Sequence, residues 1–575
     1  MKKCALVKIV YGLILMTAIL MLLTAASAEE AKKRSGDYQY EFVTENTVRI
    51  VKMKESAKEG VVVLPSDLDG YKVTHIGESL FEGCETIESV VIPNTVEYIE
   101  DRVFYFSSIR YVEIPDSVKS IGKYAFAYTQ ITSLVIPDSV TYVGEDAFSS
   151  CYYLSSVQLG KGLTELPSGM FGFCGLKNIN LPDCITSIDD YCFVSTDMET
   201  VVIPESCNVI GAHAFSGCNS LSTLTLKNGV KEIGSAAFMN CNLTDIYLPA
   251  SVKKIGSSAF DYQKLMNIQV SPDNPVIYIR DGYLFRDDNV IIAVLFNMNP
   301  SQCTIQGNSY SIVLPEYVNG LEDNLFTESD NPYMHLTSIV LSPSITVLPI
   351  CLFRECRNLE SVIIPEGVTK IEAWAFLYCE SLEEIILPQS LKSIDGYAFS
   401  ECKSLKSIII PKNVEVLPIN GLFSGCTSLE TVVIEGKINE IPATCFSRCT
   451  KLKEIILPDT VAHIDYAAFH DCTALEHIDL PSGIKTVDRE AFKGCTRLSS
   501  ITLPNTIKEI GTEAFASCTA LKEIYIPASV TKLGRDIFQG CDGITIYLVE
   551  GSPAEDIAWE YDWNYQYYQD NTSDM

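Results

Sequence analysis

Cysteine and histidine are the residues of this chain best suited to chemistry, and there are 21 of the first and 6 of the second. Histidine ligates metals or moves protons near neutral pH; cysteine does so as a thiolate, or cross-links. His463, His470 and His477 recur seven apart, which suggests a ligand set. Their neighbours argue against it: His463 precedes an inward Ile464, His470 directly follows Phe469, and His477 falls on the outer face of a strand, so the three rings should point apart. With His75, His213 and His335 isolated, no metal site is expected.

The cysteines keep one spacing. Cys84, Cys151, Cys174, Cys218, Cys241, Cys356, Cys379, Cys402, Cys426, Cys449, Cys472, Cys495, Cys518 and Cys541 each lie three residues after a phenylalanine. No C-x-x-C pair occurs, so zinc fingers are not indicated. A small thiol packs well in an apolar interior, and free core thiols are the expectation. Disulfides between neighbours remain the alternative, disfavoured because identical side-chain directions suit a bridge poorly. The sequence holds no G-x-S-x-G elbow, H-E-x-x-H, P-loop or dinucleotide fingerprint. An enzyme is not expected, and neither is a cofactor.

Forty-three basic against 73 acidic side chains leave a formal charge of −30 on 575 residues. Such a surface repels phosphate backbones, so nucleic acid is not an expected partner. The first residues read as an export leader: Lys2 and Lys3, an apolar run from about Ala5 to Leu23, and Ala26-Ser27-Ala28 as a cleavage site. Cys4 lies upstream of that run rather than at the cleavage point, so a lipid anchor is not indicated. No later stretch is long and apolar enough for a membrane span, and no wall-sorting signal or C-terminal anchor is seen. The expected location is therefore secreted or loosely associated with the cell surface.

What positions these residues is a repeat. Phe81, Phe104, Phe126, Phe148, Phe171, Phe193, Phe215, Phe238 and Phe260 are 22 or 23 apart; after an irregular stretch and Phe326, Phe353 begins a second series through Phe376, Phe399, Phe423, Phe446, Phe469, Phe492, Phe515 and Phe538. In LEEIILPQSLKSIDGYAFSECKS, from Leu382, Ile385-Ile386-Leu387 reads as a short strand that Pro388 ends, Ser390 and Gly396 mark turns, and the Ala-Phe-x-x-Cys segment suits a brief helical or 3₁₀ turn. One such coil cannot bury its apolar side alone. Coils must therefore stack into a repeat solenoid with a long parallel β-sheet and a phenylalanine column inside.

The pattern L-x-x-I-x-L-P-x-S-V-x-x-I-G-x-x-A-F-x-x-C, as in Leu498–Cys518 and Leu521–Cys541, resembles the BspA-like class of leucine-rich repeat over roughly residues 61–549. That resemblance implies a leucine-rich repeat fold of 22–24-residue units in cell-surface or secreted proteins, some of them adhesins that bind host matrix or bacterial surface proteins.

The expected organisation is a signal peptide (1–28), an N-terminal β-hairpin cap (29–60), a first repeat array (61–270), a β-hairpin interruption (271–310), a second array (311–549) and a C-terminal cap with an acidic tail (550–575). The interruption, VIYIRDGYLFRDDNVIIAVLF, reads as three strands split by Asp281-Gly282 and Asp287-Asp288-Asn289. For the last segment, Ser552-Pro553-Ala554-Glu555 suggests a capping box opening a helix to about Trp563, with Ile557, Trp559 or Trp563 laid over the final coil.

A solenoid recognises partners through outward positions that the repeat leaves free. The central outward residues of the second array begin Val340, Ile363, Ile386, Ile409, Val433 and Ile456, then turn to Asp479, Thr502 and Tyr525; in the first array they are mixed and include Tyr247. Two positions earlier stand Ser338, Ser361, Glu384, Ser407, Thr431 and Glu454. An aliphatic stripe beside a polar row resembles an interface core with its rim, although β-branched residues also populate strands with nothing touching them. Val340, Ile363, Ile386, Ile409, Val433, Ile456, Tyr247 and Tyr525 are the candidate partner-binding residues, and an adhesin-like protein-binding function is the expectation. A structural component of the cell envelope and an enzyme with an unrecognised site are the rival readings.

Overall fold

The computed structural model describes residues 33–260, 265, 267–286, 289–294, 302–307, 309–327, 335–561 and 563–569. The leader read in residues 1–28 lies outside them. The chain divides into two compact units, residues 1–277 and 278–575, and each is a parallel β-solenoid built from the repeat.

Within a coil, the alternation of apolar and polar side chains folds one short strand with every second residue inward. Ser407–Ile410 pairs in parallel with Thr431–Ile434, one coil on, and Thr431–Ile434 with Glu454–Ile456. In the first unit Thr200–Ile203 pairs with Thr223–Leu226 in the same way. Ile385-Ile386-Leu387 departs from expectation. It keeps the buried–exposed–buried alternation but lies outside the hydrogen-bonded strands.

A second, two-residue strand in most coils, absent from the sequence reading, follows the turn after Pro. Ser393–Ile394 pairs with Lys370–Ile371, and Glu440–Ile441, His463–Ile464, Thr486–Val487, Glu509–Ile510 and Lys532–Leu533 form one continuous parallel ladder. Each buries its Ile, Val or Leu and turns the preceding residue outward.

The Ala-Phe-x-x-Cys segment is not a helical turn. Among the described residues, those two before and two after each anchor phenylalanine have positive φ, as at Trp374 (59°), Tyr378 (62°), Tyr397 (57°) and Glu401 (59°). A bulky residue is rarely found in that left-handed region, at a cost of roughly 1–2 kcal/mol. What the conformation achieves is directional: it aims alternate N–H groups along the stack. Trp374, Phe376 and Tyr378 donate to the carbonyls of Gly396, Ala398 and Ser400 in the next coil, at 3.2, 2.8 and 3.1 Å, while Leu377 and Cys379 donate to Trp374 and Phe376 within their own coil. This third ladder recurs down both units.

Inside run the phenylalanines. In the first unit successive rings from Phe81 to Phe260 stack at 4.8 to 5.7 Å. In the second, those from Phe326 to Phe538 stack at 5.0 to 6.0 Å. Beside them each ladder thiol from Cys151 on donates to the anchor carbonyl of the coil before: Cys379 Sγ lies 3.2 Å from Phe353 O, and Cys402 Sγ 3.2 Å from Phe376 O, whereas Cys84 in the first coil donates to Lys58 O. None of the ladder cysteines is in a disulfide. Burial raises the pKa of Cys402, Cys426, Cys449 and Cys472, pushing the Cys426 thiol up to about 12.

The first unit begins with an antiparallel pair, Tyr38–Thr44 with Thr47–Met53; the latter joins Tyr71–Ile76 in parallel and so enters the short-strand ladder. The second begins with an antiparallel meander of Tyr278–Arg280, Tyr283–Arg286 and Val290–Val294, followed by a hairpin of Cys303–Gln306 with Ser309–Val313.

At the far end a helix spans Pro553–Glu560, shorter than expected, and buries Ala554 and Ala558 rather than Trp559, which is 80% exposed. Ile557 is partly buried against the core, and Trp563, beyond the helix, sits edge-on over Phe538 at 5.4 Å. The capping box is not made: the Ser552 hydroxyl makes no cap bond and the Ser552 N–H donates to Val549 O, while Glu555 accepts instead from the N–H of Gly551 at 2.7 Å and is also bonded by the Tyr567 hydroxyl.

Candidate interaction surface

The strand ladder sets the geometry of the outward row, because parallel register places equivalent residues side by side. Val340 is paired with Ile363, Ile409 with Val433, and Val433 with Ile456. Ile363 is 60% exposed, Ile386 83%, Ile409 53% and Ile456 52%, with Val340 and Val433 half-buried. At the ~4.8 Å strand spacing the six span roughly 25 Å. The polar row runs alongside in the same register, Ser338 beside Ser361 and Ser407 beside Thr431 beside Glu454.

The row extends one residue beyond the sequence reading. Val313, 44% exposed, ends the hairpin strand Ser309–Val313 and pairs with Val340. Its signal was the Ile312-Val313-Leu314-Pro315 run, which repeats the strand-then-proline pattern inside a stretch read as irregular.

Tyr247 and Tyr525 do not join the row. Tyr247 belongs to the first unit, where it is 49% exposed and paired with Gln269. Tyr525 lies beyond Asp479 and Thr502, stacked on Tyr547 at 4.5 Å with the edge of Tyr568 at 5.3 Å. The first unit has its own depression on the outward sheet face, about 500 Å³, walled by Val91, Tyr111 and Glu113 among others.

Charges along the coils are mostly exposed Lys–Glu pairs between neighbours, such as Lys406–Glu383 at 2.6 Å and Lys453–Glu430 at 2.7 Å; such pairs contribute little apiece. His463 shares a hydrogen bond with Thr486 and His470 lies 3.2 Å from Asp471, so the two serve separate neighbours. Among the described residues no group of three or more His, Cys, Asp or Glu side chains could hold a metal ion. Among them, too, no helix is long and apolar enough to cross a membrane.

No curated protein matches the sequence. Solved structures that resemble it include a leucine rich cell surface protein from Faecalibacterium prausnitzii (24% identity, 74% of this chain and 94% of that one, TM-score 0.38). Others are a leucine-rich repeat protein from Bacteroides ovatus (22%, 93% and 100%, TM-score 0.29) and the pneumococcal vaccine antigen PcpA (20%, 94% and 98%, TM-score 0.35). The model of the BspA type leucine rich repeat region, which spans six repeat copies, matches residues 74–199, 186–299, 332–441 and 419–545, well over half of the sequence. With the stacked coils, the phenylalanine column and the repeat register all in agreement with that match, the chain belongs to the BspA-type leucine rich repeat family.

Proposed function

We propose that this chain is an exported, surface-associated protein that binds a protein partner, in the manner of an adhesin, through the aliphatic row of its second unit. The observation that carries the reading is the run Ile363, Ile386, Ile409 and Ile456, each more than half exposed, in line with Val340 and Val433 and bordered by a polar row. Family membership and the leader read in residues 1–28 support the location; the net charge of −30 favours a partner surface that is basic or neutral.

The test replaces Ile386, Ile409 and Val433 together with serine and measures retention of the mature chain on immobilised host-matrix and bacterial-surface protein extracts. Covering each of these side chains is worth about 1 kcal/mol or more at ~25 cal/mol per Å², so the triple variant should bind at least tenfold more weakly, with its unfolding transition unmoved. Equal binding by the variant would refute the assignment.

A further inference from the structure

From the turn at Phe353 to that at Phe515, each coil of the second unit is closed on one side by the next. Three N–H groups, two before, at and two after the anchor phenylalanine, donate to three carbonyls of the following turn. Glu513, Phe515 and Ser517 still do so, to Arg535, Ile537 and Gln539 at 3.0, 3.0 and 2.6 Å. The next turn has no coil beyond it. Gln539 and Cys541 bond back within the turn to Asp536 and Phe538, but the N–H groups of Asp536, Phe538 and Gly540 have no acceptor among the described residues.

An open row of backbone donors is the same kind of template as a sheet edge. Among the described residues, those of the cap do not cover this one. Helix 553–560 lies over the short strand Lys532–Leu533 and Trp563 over the Phe538 ring, while beside Asp536 and Phe538 a cavity of about 720 Å³ remains, bounded also by Arg535, Gln539, Tyr561 and Trp563. That volume is typical of ligand sites.

We propose that this cavity binds a short linear peptide of a partner protein, its main-chain carbonyls taking the three N–H groups and one apolar side chain lying against Trp563. The hydrogen-bonding complement is the one the fold itself uses at every preceding coil, a backbone with carbonyls on alternate residues. A second copy of this chain is not the occupant: Trp563 already stands over Phe538, where a stacked coil would place its own phenylalanine, so only a single slender segment fits. The site is separate from the aliphatic row and does not depend on it.

The experiment selects a displayed library of linear hexapeptides against the immobilised full-length protein, then measures the selected peptides by calorimetry and amide hydrogen exchange. Binding should protect the amides of residues 536–540, fall at least tenfold in Gln539→Trp, whose indole fills the cavity from an exposed position, and persist in the serine triple variant of the row. If selection yields no binders, if protection lies elsewhere, or if Gln539→Trp binds as well as the parent with its unfolding unchanged, the proposal is overturned.

Discussion

Removing one ring from the phenylalanine column tests the architecture most directly. Phe399 is fully buried, stacked on Phe376 at 5.0 Å and on Phe423 at 5.6 Å. Both neighbouring turns are tied to its backbone, the earlier by the Ala398 carbonyl accepting from Phe376 and the later by its own N–H donating to Leu422. Phe399→Ala therefore leaves a cavity whose walls cannot collapse without breaking the turn ladder. A buried Phe→Ala change costs about 3–5 kcal/mol, and two lost ring pairs add roughly 0.5–1.5 kcal/mol each. Since a domain's whole stability is about 5–15 kcal/mol, the variant should lose a large share of it. The matched control is Ile386→Ala, in the same coil and 83% exposed, for which a change within about 0.5 kcal/mol is expected. Urea unfolding followed by circular dichroism, with thiol accessibility to a chromogenic disulfide as a local probe, distinguishes them: Cys379 and Cys402, both fully buried in the parent, should become reactive at lower urea in Phe399→Ala only. A loss below ~1 kcal/mol, or an equal loss in Ile386→Ala, would show that the column is not the core.

Two further outcomes follow from the interior. Burial raises the pKa of several ladder thiols, Cys402, Cys426, Cys449 and Cys472 among them, in Cys426 to about 12 against 9.0 unperturbed; the native state thus keeps their protons when the unfolded chain has lost them. Their contribution is intact below about pH 9 and declines as pH rises from there toward 12, by about 1.4 kcal/mol per unit for each such thiol. Urea midpoints taken from pH 8 to 11 should fall, less steeply in Cys426→Ala, and native protein should resist alkylation at pH 8; an equal slope in both proteins would contradict this origin. In the first unit, a Cβ on Gly229 would stand 1.6 Å from the carbonyl oxygen of Glu205 in the preceding coil, so Gly229→Ala should destabilise that unit by about 1–3 kcal/mol, read as a lowered melting temperature; an unchanged one would mean the coils are not in van der Waals contact there.

Much of this molecule was legible in the amino acids alone. A period kept by Phe353 through Phe538, with Cys three residues behind and Ile or Leu alternating ahead, admits only a stack of coils, because no single unit can hide its own apolar face. The outward row could be read from the same period, since alternation along a strand assigns each residue a side. What stayed hidden depended on neighbours in space. Left-handed residues such as Trp374 and Tyr397 carry no local mark, being favoured by no propensity; the bonds they aim at the next coil hold them there. Nor did the short second strand show itself, two residues being too few for a pattern. At the last coil, helix-capping residues announced a lid, but which side chains lay inward was settled by packing: Ala554 and Ala558 fit closely against the coil where Trp559 would not, and the donors of Asp536, Phe538 and Gly540 find no acceptor among the described residues, because the acceptors for that row come from a following coil.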